Sequence, residues 1–285
     1  MRVWKGHGLG NDYLVVESQD GPPPASVIRA LCDRHRGVGS DGILVADTTM
    51  DPVGLRIFNP DATEAEKSGN GLRIFGAWLH LTGRAGDAPF RVRLPGETVE
   101  MAVEGEGGAP GFIRLRVDMG RASFRAGDLA FTGAPADAEV MGAPLDVDGE
   151  ALAIHLVSMG NPHCVVFRDP LDPADLRRLA PRLQAHPSFS RGVNVQFARV
   201  AGPGRLDALI WERGAGETLA SGSSACAVTV AARRSGRTQG DAFVVAMEGG
   251  EVEIELSPDY DVRLRGEAGI VFEGTVREDV LRGWR

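Results

Sequence analysis

Apolar residues along the chain fall in short runs broken by Gly, Pro or Asp, the spacing of strands and tight turns. In the first half these runs predict strands at Tyr13–Glu17, Gly42–Ala46, Leu55–Phe58, Phe90–Leu94, Thr98–Val103 and Phe112–Val117. In the second half they predict Ala153–Val157, Cys164–Phe167, Val193–Val200, Asp207–Glu212, Ala242–Ala246, Val252–Leu256 and Asp261–Leu264. Two stretches break the pattern, Asn70 to about Leu81 (NGLRIFGAWLHL) and Ser223 to about Arg233 (SSACAVTVAAR). Both are apolar nearly all round, and a helix of that kind has to be buried on every side. Ser26–Arg34 and Pro173–Gln184 are more amphipathic and read as surface helices.

The chain also repeats itself. Gly10-Asn11 followed by Val15-Val16 recurs as Gly160-Asn161 followed by Val165-Val166, and Arg36-Gly37-Val38 recurs as Arg191-Gly192-Val193. At a spacing intermediate between those two, Phe58–Asn70 aligns with Trp211–Ser223, so that Glu64 meets Glu217, Ser68 meets Ser221 and Gly69 meets Gly222. Three matches in one order at nearly constant spacing indicate duplication of one domain. Strands surrounding one buried helix, used twice, imply an α/β (α+β) fold of two pseudo-symmetric domains, each a mixed strand barrel around a central buried helix. The expected division is residues 1–117, rejoined by about 266–285, and residues 118–265.

Composition narrows the function classes. The 285 residues are 43% apolar and 25% charged, an ordinary globular balance long enough for two cores. Thirty-one basic residues against 39 acidic ones give a net charge of −8, which argues against nucleic acid or an anionic membrane as the main partner. Three cysteines, Cys32, Cys164 and Cys226, are too few and too odd in number for a disulfide scaffold. With no apolar run of membrane-spanning length and no targeting pattern, a cytoplasmic protein is expected. The six His and three Cys show no ligand spacing, so no metal is expected. The run Gly6–Gly10 has no strand expected before it, which weighs against a dinucleotide loop.

The chemistry concentrates where the two buried helices begin. Each opens with Ser-Gly, Ser68-Gly69 and Ser221-Gly222, followed by Asn70 or Ser223. A helix start offers unpaired N–H groups and the positive end of the dipole, and glycine lets a ligand approach the backbone. Two such starts related by pseudo-symmetry would cup one small anion, with a carboxylate as the natural guest, in a cleft between the domains. Taken singly, a Ser in this position is also an ordinary N-cap. The polar residues Asn59, Asn70, Asn161, Asn194, Glu212 and Arg213 all lie in Gly- or Pro-rich turns, and an Arg there can clamp a carboxylate.

These residues carry a resemblance. The motifs KGHGLGNDY (5–13), DRHRGVGSDGILV (33–45), RIFNPDATEAEKSGNGLRIF (56–75), SMGNPHCVVF (158–167), GVNVQF (192–197), ERGAGETLASGSSACA (212–227) and FEGTV (272–276) resemble those of diaminopimelate epimerase, in the cofactor-independent amino-acid racemase superfamily. The resemblance implies an isomerase that inverts the α-carbon of LL-diaminopimelate to the meso form without pyridoxal phosphate or other cofactor. It also implies a small amino-acid substrate and a possible homodimer. By carry-over, Asn11, Asn59, Asn161, Asn194, Glu212 and Arg213 would hold the distal amino-acid group. Gly69, Asn70, Gly222 and Ser223 would hold the reacting α-carboxylate.

In that family one cysteine thiolate removes the α-proton and a second returns a proton from the opposite face. Their positions, nine residues after Asn59 and nine after Glu212, hold Ser68 and Ser221 here. Cys164 and Cys226 lie out of register and read as core residues. Pro60, Ala62, Lys67, Ile74 and Ser224 depart from the family pattern as well. A thiol has a reference pKa of about 8.5, whereas a serine hydroxyl is a far weaker acid and needs another base. His163 and Glu212, which stand where the family assists its cysteines, are the candidates, with His163 expected to take a proton near neutral pH. Three functions follow: an epimerase that is slow or has lost its activity, a one-base isomerase or eliminase of an amino acid, and a non-catalytic amino-acid binder.

Overall fold

A computed structural model describes residues 1–284, which form two compact units, residues 1–118 with 265–284, and residues 119–264. The first unit runs β1 (Arg2–Gly8), β2 (Asn11–Glu17), α1 (Ala25–Cys32), β3 (Ile43–Asp47), β4 (Gly54–Phe58), β5 (Glu64–Ala65), α2 (Gly69–Leu81), β6 (Phe90–Leu94), β7 (Glu97–Glu106) and β8 (Phe112–Arg121). The second begins with β9 (Met141–Val147) and continues β10 (Glu150–Ser158), β11 (Pro162–Phe167), α3 (Pro173–Gln184), β12 (Asn194–Gly202), β13 (Arg205–Glu212), β14 (Gly216–Thr218), α4 (Gly222–Arg234), β15 (Ala242–Met247) and β16 (Gly250–Leu256); β17 (Asp261–Thr275) starts there and runs back into the first unit, which the helix α5 (Glu278–Trp284) closes. The order β1 to β8 is repeated, element for element, from β10 to β17.

The pairings repeat too. β2 lies parallel to β3 with Leu14 opposite Ile43, and β11 lies parallel to β12 with Cys164 opposite Val195. β4 is antiparallel to β3 and parallel to β6, as β13 is antiparallel to β12 and parallel to β15. In the first unit β17 pairs with both β1 and β8, which carries the strands round into a closed wall. Strands of such a wall are buried on both faces, and every residue of β2 except Glu17 is buried.

Strand alternation then sorts the side chains. Leu14 and Val16 of β2 join Ile43 and Val45 of β3 under Val27, Ile28 and Leu31 of α1, with Leu281 of α5 at the margin. In the second unit Leu176, Leu179, Ala180 and Leu183 of α3 cover Cys164 and Val166 of β11 and Val195 and Phe197 of β12. The intervening residues turn inward to the central helices. All residues of α2 from Gly69 to Leu79 are buried, as are all of α4 from Gly222 to Ala232. Inside the first wall Trp78 stacks on Phe75 at 5.3 Å and meets Trp4 edge-on at 5.5 Å.

Several expectations need correction. Gly6 and Gly8 lie inside a strand, β1, which the Gly-rich sequence conceals; it turns through Gly10 (φ +84°) directly into β2. No helix follows that turn, so the argument against a dinucleotide loop stands on the helix rather than on the strand. β9 and α5 were not expected, and β17 runs unbroken to Thr275 instead of ending at Leu264. Both central helices begin one residue early, at Gly69 and Gly222. No helix among the described residues is long and apolar enough to cross a membrane.

Phe75 has no exposed surface and stacks on Trp78. Phe75→Ala should cost about 3–5 kcal/mol of stability, read as a drop in the urea unfolding midpoint.

Candidate functional site

In the first unit the site is built on the start of α2. Ser68 is extended (φ −136°, ψ 118°), and its Oγ accepts the Gly71 N–H at 3.0 Å. The Tyr13 hydroxyl, brought inward by β2, lies 3.4 Å from the same oxygen. Asn70 Nδ2 donates to Asn11 Oδ1 at 3.0 Å, and Asn11 Nδ2 donates to Asp41 Oδ2 at 2.9 Å. One turn into the helix, fully buried Arg73 donates to Asn70 Oδ1 and, at 3.1 Å, to the Glu267 carbonyl. Asn70 is thus gripped from two sides.

Beside Asn11, Asp12 bridges Lys5 at 2.9 Å and Arg34 at 2.7 Å. Burial pushes the Asp12 carboxyl up, but hydrogen bonds from Arg34 and Lys5 outweigh it and hold the group below the usual carboxylate range. Asn59 is placed differently: its amide donates to Thr63 Oγ1 at 3.0 Å, inside its own turn.

The second unit repeats the arrangement at the start of α4. Ser221 has the same extended backbone (φ −144°, ψ 122°) and is buried, but makes no capping hydrogen bond. Asn161 Nδ2 points to Ser223 Oγ at 3.4 Å, the counterpart of the Asn11–Asn70 contact. His163 Nε2 is 2.9 Å from Asn161 Oδ1, and Gln196 Nε2 is 3.1 Å from His163 Nδ1. Asn194 Nδ2 donates to the Pro162 carbonyl at 3.0 Å, and its Oδ1 accepts the Arg213 N–H at 2.9 Å. The Arg213 guanidinium donates to the Arg191 carbonyl at 3.2 Å. Glu212 ends β13, and its carbonyl closes the turn by accepting the Ala215 N–H at 3.2 Å.

His163 does not behave as the sequence suggests. Burial, followed by the positive charge of Arg213, drives its pKa down to about 3 against a weaker opposing pull from the Gln196 hydrogen bond. The ring is therefore neutral at neutral pH, and the expectation of a proton taken up there is withdrawn. The three cysteines are all buried, and burial pushes the Cys32 and Cys164 thiols up, away from the reactive range.

The arrangement can bind an anion at each helix start and can present a hydroxyl beside it. At Ser68 the partners of that hydroxyl are a backbone N–H and a phenol, neither of them a strong base. Tyr13, Asp41, Arg73 and Gln196 went unassigned in the sequence. A signal existed for Tyr13: the spacing that matches Asn11 with Asn161 also matches Tyr13 with His163.

A family model described as diaminopimelate epimerase matches residues 3–125 and 155–271. The chain is 38% identical over 291 residues to the diaminopimelate epimerase of Desulfitobacterium hafniense, covering 99% of this chain and 100% of that one. It is 36% identical to diaminopimelate epimerase 2 of a Nostoc species, covering 99% and 97%. Among solved structures, a probable proline racemase from Agrobacterium radiobacter superposes with a TM-score of 0.72 at 15% identity, over 98% of this chain and 93% of that one; at this identity the likeness concerns the fold.

The neutral, buried state of His163 has a consequence for stability. Its folded pKa lies below the unfolded value of about 6.5, so between the two values the unfolded chain binds the extra proton. Stability should fall as pH drops from about 6.5 toward 3, and His163→Gln should flatten that limb, as read from urea midpoints measured across the range.

Proposed function

Because the chain belongs to the diaminopimelate epimerase family and is an amino-acid epimerase by that membership, we propose that it converts LL-diaminopimelate to the meso form, and does so slowly. The reaction is a proton transfer at the α-carbon without pyridoxal phosphate, in the supply of lysine and cell-wall precursors. One observation carries the reading. Both helix starts keep an amide-to-helix contact, Asn11 to Asn70 and Asn161 to Ser223, while the residue ahead of each Gly is serine.

In this reading the N–H groups of Gly69, Asn70, Gly222 and Ser223 receive the α-carboxylate, and electrostatic stabilisation of the developing carbanion comes from the same dipoles. Asn11, Asn59, Asn161, Asn194, Glu212 and Arg213 bind the distal end. Ser68 and Ser221 are the groups that carry the proton. Driven down to a pKa of about 3, His163 is too weak a base to draw a proton from Ser221, so it serves as a hydrogen-bond donor, and Glu212 is left as the ionisable helper. A well-placed acid or base contributes roughly 10²–10⁴ in rate, so replacing both thiols with hydroxyls predicts a large deficit.

Two observations favour a second reading, an amino-acid binder without turnover. Among the described residues Ser68 has no basic partner, while His163, with its pKa driven down to about 3, is a weak base.

Incubation with LL- and meso-diaminopimelate in D₂O separates these readings. Slow deuterium uptake at the α-carbon with inversion is the expected outcome. Exchange with retention would point to one-base chemistry. Binding without exchange would overturn the epimerase reading in favour of the binder.

A further inference from the structure

Gln196 lies in β12 between Val195 and Phe197, and none of the three has any exposed surface. Its amide nitrogen donates twice, to His163 Nδ1 at 3.1 Å and to Ser224 Oγ at 3.0 Å. Ser224 and His163 are also fully buried, so water does not replace either partner. A ring nitrogen that accepts carries no proton; the proton of the neutral imidazole is then on Nε2. That N–H is aimed at Asn161 Oδ1, 2.9 Å away. With its carbonyl so engaged, Asn161 turns its N–H₂ outward, toward Ser223 Oγ at the start of α4.

The opposite arrangement is chemically complete: Gln196 reversed, the proton on Nδ1, Asn161 reversed and its carbonyl facing the helix start. The burial of Gln196 decides between the two. As it stands, Gln196 Oε1 is buried without a hydrogen-bond partner. In the reversed relay that place would be taken by an N–H₂ with two donors unmet, the costlier defect. The unpaired oxygen is the residue of a choice that keeps the nitrogen toward His163.

We propose that Gln196 is a positioning residue that fixes His163 as its Nε2–H tautomer and thereby orients Asn161 to offer its N–H donors to the distal end of an amino-acid ligand beside the α4 start. The identity of that ligand rests on the diaminopimelate reading above; the relay itself does not. Ser224, a departure from the family pattern, has its place here as the second acceptor of the Gln196 amide.

The test uses the intact chain with ¹⁵N-labelled histidine, His163 being identified by its loss in His163→Gln. The native protein should show His163 neutral near pH 7, with an unprotonated Nδ1 and a protonated Nε2. Gln196→Glu places a carboxylate acceptor against Nδ1 and should move the proton onto that nitrogen. Gln196→Leu removes the donor and should leave a mixture of tautomers. Ser224→Ala, which spares the Gln196–His163 bond, should leave the tautomer unchanged. In both Gln196 variants the Kd for meso-diaminopimelate should rise about tenfold, the scale of one hydrogen bond to a charged group.

A native His163 protonated on Nδ1, or a Gln196→Leu protein with the native tautomer and native Kd, would overturn the proposal. If native protein does not bind diaminopimelate at all, the functional reading fails, and the tautomer spectra still decide the role of Gln196.

Discussion

A helix buried on every side has a problem at its first turn, where the N–H groups have no partner within the helix. In this chain that constraint arises twice, at α2 and α4, and the rest of each unit is arranged around it. Strands wall in the sides of each helix, and α1 and α3 seal the outside of the wall with Val27, Ile28 and Leu31, or with Leu176, Leu179 and Leu183. At the open end, each start is met by an amide, from Asn11 or Asn161, delivered by the first residues of β2 or the turn before β11. The glycines Gly69 and Gly222 keep side chains out of the way, so the dipole and the N–H groups are left for an anion.

The two halves answer the constraint with the same backbone and different chemistry. Ser68 caps its own helix through Gly71, while Ser221 makes no such bond. Tyr13 and His163 occupy equivalent places in the repeat, one ring carrying a phenol beside a serine, the other held neutral between Asn161 and Gln196. Neither half contains the thiol whose acidity a helix start tunes into the working range. Binding groups are therefore better preserved than groups that move protons, which is why slow turnover and plain binding are the readings that compete.

Much of this was legible in the sequence because duplication leaves a periodic trace. The matched spacings of Asn11 with Asn161 and Ser68 with Ser221 locate both helix starts, and the all-apolar runs after them identify α2 and α4. What escaped has physical causes. β1 is written in glycines, and β9 carries Pro144 and alternates half-buried with exposed residues, so neither shows an apolar run. Gln196 looks like a stray polar residue in an apolar strand, and only the placement of His163 and Ser224 beside it gives it a task. The neutrality of His163 is not legible because burial, which sequence does not display, outweighs the residue's ordinary pKa.

The central claim is that positions 68 and 221 are where protons enter and leave the substrate. Restoring a thiol at both, with Ser68→Cys and Ser221→Cys combined, tests it through the rate of LL-to-meso interconversion of diaminopimelate. The account predicts a gain of at least roughly 10²-fold over the native chain, the contribution expected of a well-placed acid–base group. A doubly substituted protein that folds, binds diaminopimelate and interconverts it no faster would contradict the account.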